Sequence, residues 1–196
     1  MPNSITYYNQ NADKYYNNTL NVDMSKIYYS FLQHLPPGSL ILDAGCGSGR
    51  DSFHFINRGY RVEAFDGSEE MVKRSCQLID REVQHCTFEE FHSEQSYDSI
   101  WACASLLHVE KDRLTDVIEK LAVYLKKGGI FYMSFKYGDR DYEKDGRHFS
   151  CFKEDDFTAL IEELDCLKII ELFQTVDARK DRPDEYWLNC LLKRVE

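Results

Sequence analysis

The stretch LDAGCGSGR, residues 42–50, decides the fold of this chain of 196 residues. It ends a short apolar run, SLILDAG (39–45), with three glycines, Gly45, Gly47 and Gly49. A glycine-rich turn between a strand and a helix lets a ligand approach the backbone, with the first amides of the helix facing it. The stretch therefore predicts a strand, a ligand-binding turn and a helix.

The residues around this turn indicate the kind of ligand. A dinucleotide fingerprint needs a third glycine three residues after the second, and Arg50 stands there. Asp43 ends the first strand, where a carboxylate repels a pyrophosphate and suits a cationic ligand. Asp66 ends the next predicted strand, where an acid accepts the hydroxyls of a ribose; taken alone it also suits a helix N-cap. S-adenosylmethionine, with a ribose, two cationic groups and no phosphate, fits this pattern better than a nicotinamide or nucleotide-sugar ligand.

The rest of the chain alternates between strand and helix patterns. Apolar runs at RVEAFD (61–66), YDSIWACAS (97–105) and GGIFYMSFK (128–136) predict strands. Between them, residues 112–127 carry an apolar stripe at helical spacing, with Asp112 as the predicted N-cap. Strands that alternate with helices over short links are typical of an α/β fold with a parallel sheet covered on both faces.

The two ends of the chain depart from this alternation. CLKIIELFQTV (166–176) and EYWLNCLLKRV (185–195) are strand-like runs separated by about nine polar residues, so they predict an antiparallel hairpin at one sheet edge. Residues 9–35 are predicted to be helical up to Pro36, and the stretch ITYYNQNADKYYNNT is too polar for a core and unusually aromatic for a tail.

Composition narrows the function further. Asp and Glu outnumber Lys and Arg by 34 to 24, a formal net charge of −10 that argues against a general nucleic-acid binder. The seven cysteines and six histidines form no CxxC pair and no ligand cluster, so we expect reduced thiols and no metal site. The sequence shows neither a signal peptide nor an apolar run of roughly 18 residues. These features predict a cytoplasmic protein without a membrane segment.

Four stretches resemble motifs of the class I S-adenosylmethionine-dependent methyltransferases. They are LDAGCGSG, VEAFDGSEEMV (62–72), YDSIWACASLLHV (97–109) and LKKGGIFYMSFK (125–136). GSGRDS, SLLHV, SFKYG and EYWLN are more similar to a bacterial subgroup named tellurite-resistance-like methyltransferases. The resemblance implies one domain over 1–196 with an N-terminal helical lid at 1–38. It also implies a Rossmann-like, seven-stranded, mostly parallel sheet with helices on both faces and an antiparallel C-terminal hairpin edge.

The same resemblance implies a binding site for S-adenosylmethionine. The glycines lie against the methionyl part, Asp66 against the ribose, Met71 over the adenine, and Tyr15 closes over the ligand. Ordinary hydrophobic packing is the alternative for Met71 and Tyr15. Many relatives have an Asp where this chain has Thr87. The implied cofactor-binding set is Tyr15, Asp43, Gly45, Cys46, Gly47, Gly49, Asp66, Gly67, Met71, Thr87, Phe88, Ala102 and Cys103.

The methyl acceptor is less clearly indicated. Methyltransferases of DNA or glutamine carry an Asn/Asp-Pro-Pro-aromatic motif after the fourth strand, but this chain reads ACASLLHV, without proline. His108 in that segment is a candidate general base, with helix capping or packing as the alternative. The predicted acceptor-binding residues, all placed at the carboxyl ends of strands, are Lys136, Arg147, Arg179, Arg182 and Trp187.

These basic residues favour an anionic acceptor held by arginine and stacked on Trp187. The alternative is that Asp177, Asp181 and Asp184 pair with them in solvated loops. The leading hypothesis is a methyltransferase of a small, anionic molecule, acting as a monomer or homodimer. A methyltransferase of RNA or protein and a non-catalytic S-adenosylmethionine-binding regulator remain alternatives.

Overall fold

The computed structural model describes residues 4–196, so Met1–Asn3 of the predicted lid lie outside the described residues. Three helices precede the first strand: α1 (Ser4–Gln10), α2 (Ala12–Thr19) and α3 (Ser25–Leu32). Strands and helices then follow in the order β1 (Leu40–Ala44), α4 (Arg50–Asn57), β2 (Arg61–Asp66), α5 (Glu69–Ile79), β3 (Gln84–His85), β4 (Tyr97–Ala102), a 3-10 turn (Leu106–His108), α6 (Lys111–Ala122), β5 (Leu125–Tyr137), β6 (Tyr142–Lys144), β7 (Arg147–Phe149), β8 (Cys151–Phe152), α7 (Glu154–Glu162), β9 (Leu167–Val176) and β10 (Tyr186–Arg194).

The main sheet has eight strands, of which seven lie in the order β3-β2-β1-β4-β5-β10-β9. The first five are parallel, whereas β10 runs antiparallel to both β5 and β9. This confirms the predicted Rossmann-like sheet and its antiparallel C-terminal hairpin. Two features were not predicted: β8 adds two residues beside β5, and β6 pairs with β7 in a separate small hairpin.

Apolar side chains fill both faces of the sheet. On one face, residues of α6 and α7 pack with Leu42 and Phe131; on the other, α3 and α4 pack with Ile41 and Trp101. Neighbouring residues of a strand point to opposite faces, so Ile41 and Leu42 belong to different layers. The short apolar strands are therefore buried on both sides, as a parallel sheet requires.

Two helix boundaries differ from the prediction. Helix α6 ends at Ala122 and not at residue 127, because Leu125 is the first residue of β5 and pairs with Tyr97. An apolar residue fits the apolar stripe of a helix and a buried strand equally well, and here Leu125 pairs within the sheet. The N-cap of this helix also lies two residues earlier than predicted, at Glu110 and not at Asp112.

A buried ion pair joins α4 to the neighbouring layers. Asp51 accepts hydrogen bonds from Arg50 Nε at 2.6 Å and Trp101 Nε1 at 2.9 Å, and the Tyr28 hydroxyl also donates to it. Burial raises the pKa of Asp51, but the Arg50 guanidinium and these donated bonds more than offset it, so its pKa lies below the usual range. The pair fixes the first turn of α4, which follows the glycine-rich turn.

Within residues 4–196, no helix is both long and apolar enough to cross a bilayer, and no group of His, Cys, Asp or Glu is arranged to hold a metal ion.

Candidate functional site

A cavity of about 390 Å³ lies over the glycine-rich turn, at the carboxyl ends of β1, β2 and β4. Ligands of open α/β sheets bind at this edge. Ten residues of the predicted cofactor set line it: Tyr15, Gly45, Cys46, Gly47, Asp66, Gly67, Met71, Thr87, Phe88 and Cys103.

Asp66 is one of the acidic side chains that line this cavity. Its carboxylate accepts hydrogen bonds from the backbone N–H groups of Gly47 and Ser68, each at 2.8 Å. Burial raises the pKa of Asp66, although these bonds act in the opposite direction. The N-cap of α5 is Ser68, whose hydroxyl accepts from Met71, so Asp66 does not cap that helix itself. A carboxylate oxygen accepts more than one hydrogen bond, so Asp66 keeps free acceptor sites toward the cavity.

Three predicted cofactor residues, Asp43, Gly49 and Ala102, do not line either of the two cavities described here. Asp43 is 2% exposed and accepts a hydrogen bond from Ser52 Oγ at 2.6 Å, and burial with the nearby Asp51 raises its pKa. Ala102 is fully buried in β4. Asp43 therefore supports the turn from below, through α4, because its side chain points away from the ligand face.

Gly49 also faces a neighbouring helix, α5, and does not line either cavity. Its φ of +77° lies in the left-handed region, and a Cβ there would lie 2.5 Å from Ser75 Oγ. The glycine therefore lets α4 begin against α5. By contrast, a Cβ on Gly47 would lie 3.5 Å from the Tyr15 ring, inside the cavity wall.

Thr87 uses both of its polar groups locally. Its backbone N–H donates to Glu90 Oε2 at 3.0 Å, and its hydroxyl accepts from Glu90 N at 3.3 Å. This reciprocal pair resembles a capping box. Thr87 thus borders the cavity with its polar groups engaged, while the Phe88 ring supplies apolar surface.

The N-terminal helices lie across this cavity. Asn9 Oδ1 accepts from Ser68 Oγ at 2.7 Å, and Asp13 pairs with Arg74 at 2.6 Å, so α1 and α2 are tied to the start and middle of α5. Tyr8 on α1 and Tyr15 on α2 line the cavity. That these helices act as a lid that opens and closes stays a prediction. Tyr8 was not predicted as a site residue, and its only signal was the tyrosine-rich stretch.

A second cavity of about 260 Å³ adjoins the first. The two share Tyr8, Tyr15, Thr19, Arg50, Cys103, Ala104 and His108. All five predicted acceptor residues, Lys136, Arg147, Arg179, Arg182 and Trp187, line the second cavity. Its wall carries seven basic side chains (Lys14, Arg50, Lys136, Lys144, Arg147, Arg179 and Arg182) and three acidic ones (Asp145, Asp177 and Glu185).

Part of this positive charge is paired. Asp177 accepts two bonds from Arg179, at 2.6 and 2.8 Å, and lies 3.3 Å from Lys136 Nζ. Burial raises the pKa of Asp177, but Arg179 and the other donors outweigh it, so its pKa lies well below the usual range. Glu185 pairs with Lys136 and Arg182. The pairing alternative therefore holds for Asp177, with Glu185 as the second acid in place of the expected Asp181 and Asp184.

Arg147 is less fully engaged than Arg179. Its Nη2 lies 3.3 Å from Asp145, and its guanidinium carbon is 3.8 Å from the centre of the Tyr7 ring. Within residues 4–196, its Nε is buried without a hydrogen-bond partner. A buried N–H without a partner costs free energy, so this group is suited to a ligand atom.

His108 lies where the two cavities meet. Its Nδ1 is 2.7 Å from the His148 carbonyl oxygen, and its Nε2 is 2.8 Å from the Tyr8 hydroxyl. Burial lowers its pKa to about 4. The ring also packs edge-on against Phe149, so His108 makes packing contacts and presents a polar edge to the cavities.

The chain is similar to known methyltransferases in sequence and in structure. The family model described as "Methyltransferase domain" matches residues 41–129. Three ubiquinone biosynthesis O-methyltransferases, from strains of Xanthomonas campestris pv. campestris, are 34% identical over 107 residues. The match covers 50% of this chain and 43% of each relative, so the chain aligns with less than half of their length.

Solved structures share the fold over most of the chain. A 1,6-didemethyltoxoflavin-N1-methyltransferase from Burkholderia thailandensis, bound to 1,6-didemethyltoxoflavin and S-adenosylhomocysteine, has a TM-score of 0.79 at 21% identity, over 98% of this chain and 85% of that one. The N-methyltransferase NodS from Bradyrhizobium japonicum, in complex with S-adenosylhomocysteine, has a TM-score of 0.70 at 16% identity, over 96% and 98%. The described chain thus has the Rossmann-like fold of these methyltransferases, and its residues 41–129 match the family model of a methyltransferase domain.

Proposed function

We propose that this protein is an S-adenosylmethionine-dependent methyltransferase that transfers a methyl group directly, in line, to a small anionic acceptor. The observation that carries the proposal is the meeting of two unlike cavities at Tyr8, Tyr15, Cys103 and His108. One has a glycine-rich wall with the Asp66 carboxylate beside it, and the other carries more basic than acidic side chains. Such an arrangement supports a cofactor and an acceptor that bind side by side.

The first cavity suits S-adenosylmethionine. Asp66 has acceptor sites left for the ribose hydroxyls, and Gly47 leaves the backbone open to the ligand. Met71 and Phe88 offer an apolar wall for the adenine ring. The cofactor supplies a methyl group on a good leaving group, so this chain has to align the acceptor and exclude water.

The second cavity suits an anion. Seven basic side chains face three acidic ones there, although the whole chain carries a formal charge of −10. A positive cavity in an acidic protein concentrates anionic ligands at that point. Arg147, with its unpaired Nε, is the residue that we expect to bind the acceptor's negative group.

The cavity volume of about 260 Å³ favours a small molecule over RNA or a protein. The names of the Xanthomonas and Burkholderia relatives support a small-molecule acceptor as well. We further propose that the chain belongs with the tellurite-resistance-like methyltransferases. The support for this is the similarity of four short motifs, GSGRDS, SLLHV, SFKYG and EYWLN. A non-catalytic regulator would bind the cofactor without forming a methylated product.

We expect S-adenosylhomocysteine to bind, and Asp66→Asn to weaken its binding by about 10- to 100-fold, the value of one or two charge-assisted hydrogen bonds. Isothermal titration calorimetry measures both constants. Asp80→Asn is the matched control, because Asp80 is exposed, lies outside both cavities, and has a left-handed conformation that Asn tolerates. Equal binding by the two variants would contradict the role of Asp66.

The acceptor's charge is tested by turnover. Labelled S-adenosylmethionine and a metabolite extract should yield a methylated product from an anionic acceptor. With that acceptor, we expect Arg147→Ala to raise KM by about 10-fold or more, with cofactor affinity changed by less than about twofold. Arg58→Ala, on the exposed end of α4, is the control. An acceptor that is neutral or cationic, with unchanged KM in Arg147→Ala, would contradict the anionic acceptor while leaving the methyltransferase activity standing.

A further inference from the structure

We propose that Tyr8 and His108 act together as the base that removes a proton from the acceptor. The acceptor is then an acid with a nucleophilic O–H or N–H group, such as a phenol. This inference rests on the proposed function and deepens it. It starts from the hydrogen bond of 2.8 Å between the Tyr8 hydroxyl and His108 Nε2, at the junction of the two cavities.

The direction of this hydrogen bond follows from the other side of the imidazole. His108 Nδ1 is 2.7 Å from the carbonyl oxygen of His148. A carbonyl oxygen only accepts, so Nδ1 carries the hydrogen and donates it. In the neutral ring, Nε2 then has a lone pair and accepts the proton of the Tyr8 hydroxyl. The basic nitrogen of His108 therefore points toward the cavity junction, with the Tyr8 oxygen directly before it.

The charge state of the pair suits a proton acceptor. Burial lowers the pKa of His108 to about 4, so its imidazole is neutral at physiological pH. An anion bound beside it favours the imidazolium and raises this pKa. Burial raises the pKa of Tyr8, while the Arg147 guanidinium, 5.8 Å from the Tyr8 ring centre, lowers it. An anionic acceptor held by Arg147 thus brings the pair closer to the acidity that proton transfer needs.

The acidic residues of the second cavity are already paired with cations. Asp177 binds Arg179 and Lys136, Glu185 binds Lys136 and Arg182, and Asp145 binds Arg147. Taking up a proton would cost each of these carboxylates its ion pair, whereas the Nε2 lone pair of His108 is engaged by the Tyr8 hydroxyl alone. The described wall therefore offers the neutral imidazole behind Tyr8 as its proton acceptor.

The step balances in protons and electrons. The acceptor's O–H or N–H proton passes to the Tyr8 oxygen as the Tyr8 proton passes to His108 Nε2. The freed lone pair of the acceptor forms the new bond to the methyl carbon. The bond between that carbon and sulfur breaks, and its electron pair stays on sulfur. The imidazolium then returns its proton to solvent, which the low pKa of His108 favours.

The test uses 4-nitrophenol, whose phenolate absorbs at longer wavelength than the phenol, titrated by pH in the complex of the whole protein with S-adenosylhomocysteine. We expect the pKa of the bound dye to be lower by about one unit or more in the wild type than in Tyr8→Phe and His108→Gln, because only in the wild type does its proton pass to His108 and leave a phenolate stabilised by the nearby imidazolium. Tyr16→Phe, on α2 and outside both cavities, is the control and should match the wild type.

Equal dye pKa values in the wild type, Tyr8→Phe and His108→Gln would overturn the proposal. So would failure of the dye to bind a complex that holds S-adenosylhomocysteine. If the Tyr8–His108 contact only closes the N-terminal helices, both variants weaken S-adenosylhomocysteine binding and leave the bound dye's pKa unchanged, which also overturns it. Failure of the proposed function is seen separately, as absence of S-adenosylhomocysteine binding or of any methylated product.

Discussion

Replacing Asp51 with alanine is expected to lower the free energy of unfolding by about 3–5 kcal/mol. The change leaves the buried Arg50 guanidinium without its partner, and it removes the acceptor of the Tyr28 hydroxyl and the Trp101 indole N–H. Removing one member of a buried ion pair costs more than the pair itself contributes, because the remaining charge stays desolvated. The three donors lie on α3, α4 and β4, so the substitution weakens the contacts between these two helices and the sheet.

Urea unfolding followed by circular dichroism measures this difference. Glu70→Ala is the control, because Glu70 forms ion pairs with Lys73 and Arg74 on the exposed side of α5. Exposed pairs contribute little to stability, so this control should unfold close to the wild-type midpoint. A midpoint for Asp51→Ala equal to that of the control would show that Arg50 finds another partner or water.

Replacing Gly49 with alanine is expected to lower the free energy of unfolding by about 2–5 kcal/mol, the sum of two causes. Its φ of +77° disfavours any residue with a Cβ, which costs about 1–2 kcal/mol. The new Cβ would also lie 2.5 Å from Ser75 Oγ and 3.1 Å from Ser75 Cα, and overpacking of this kind costs about 1–3 kcal/mol.

Gly59 separates these two causes. Its φ is +84°, but a Cβ there meets no atom within 4 Å, so Gly59→Ala has the backbone cost alone. We expect about 1–2 kcal/mol for Gly59→Ala, and the difference between the two variants measures the contact with Ser75. Thermal unfolding of both proteins gives the comparison. Equal losses would mean that α5 moves away from α4 at no cost.

The sequence predicted most of the sheet because its strands have local signals. Strand β2 was predicted at 61–66 and is observed at Arg61–Asp66, and the runs 166–176 and 185–195 became β9 and β10. These are apolar or alternating segments between polar links, so neighbouring residues suffice to identify them. The end of α6 could not be predicted in this way, because the decisive contact of Leu125 is with Tyr97 on another strand.

The candidate site likewise contains residues that the sequence predicted and contacts that it did not. Lys136, Arg147 and Arg179 were assigned to one cavity because topology alone places the ends of their segments together. The contact between Tyr8 and His108 joins residues 100 positions apart, and no local sequence pattern predicts it. Asp43 and Gly49 were placed against the ligand because the turn's sequence does not say which atoms face the cavity and which face α4 or α5.

The position of β10 also sets an order of assembly. This strand enters the sheet between β5 and β9, and its pairing with β5 joins Trp187 to Lys136. During synthesis on the ribosome, the cofactor half is complete in sequence well before β10 emerges, whereas β5 keeps an open edge until then. Pairing of distant segments is slow, and open strand edges invite association between chains. We therefore expect the acceptor cavity to be the last part of the molecule to form, and the nascent chain to be most exposed to aggregation before β10 pairs with β5.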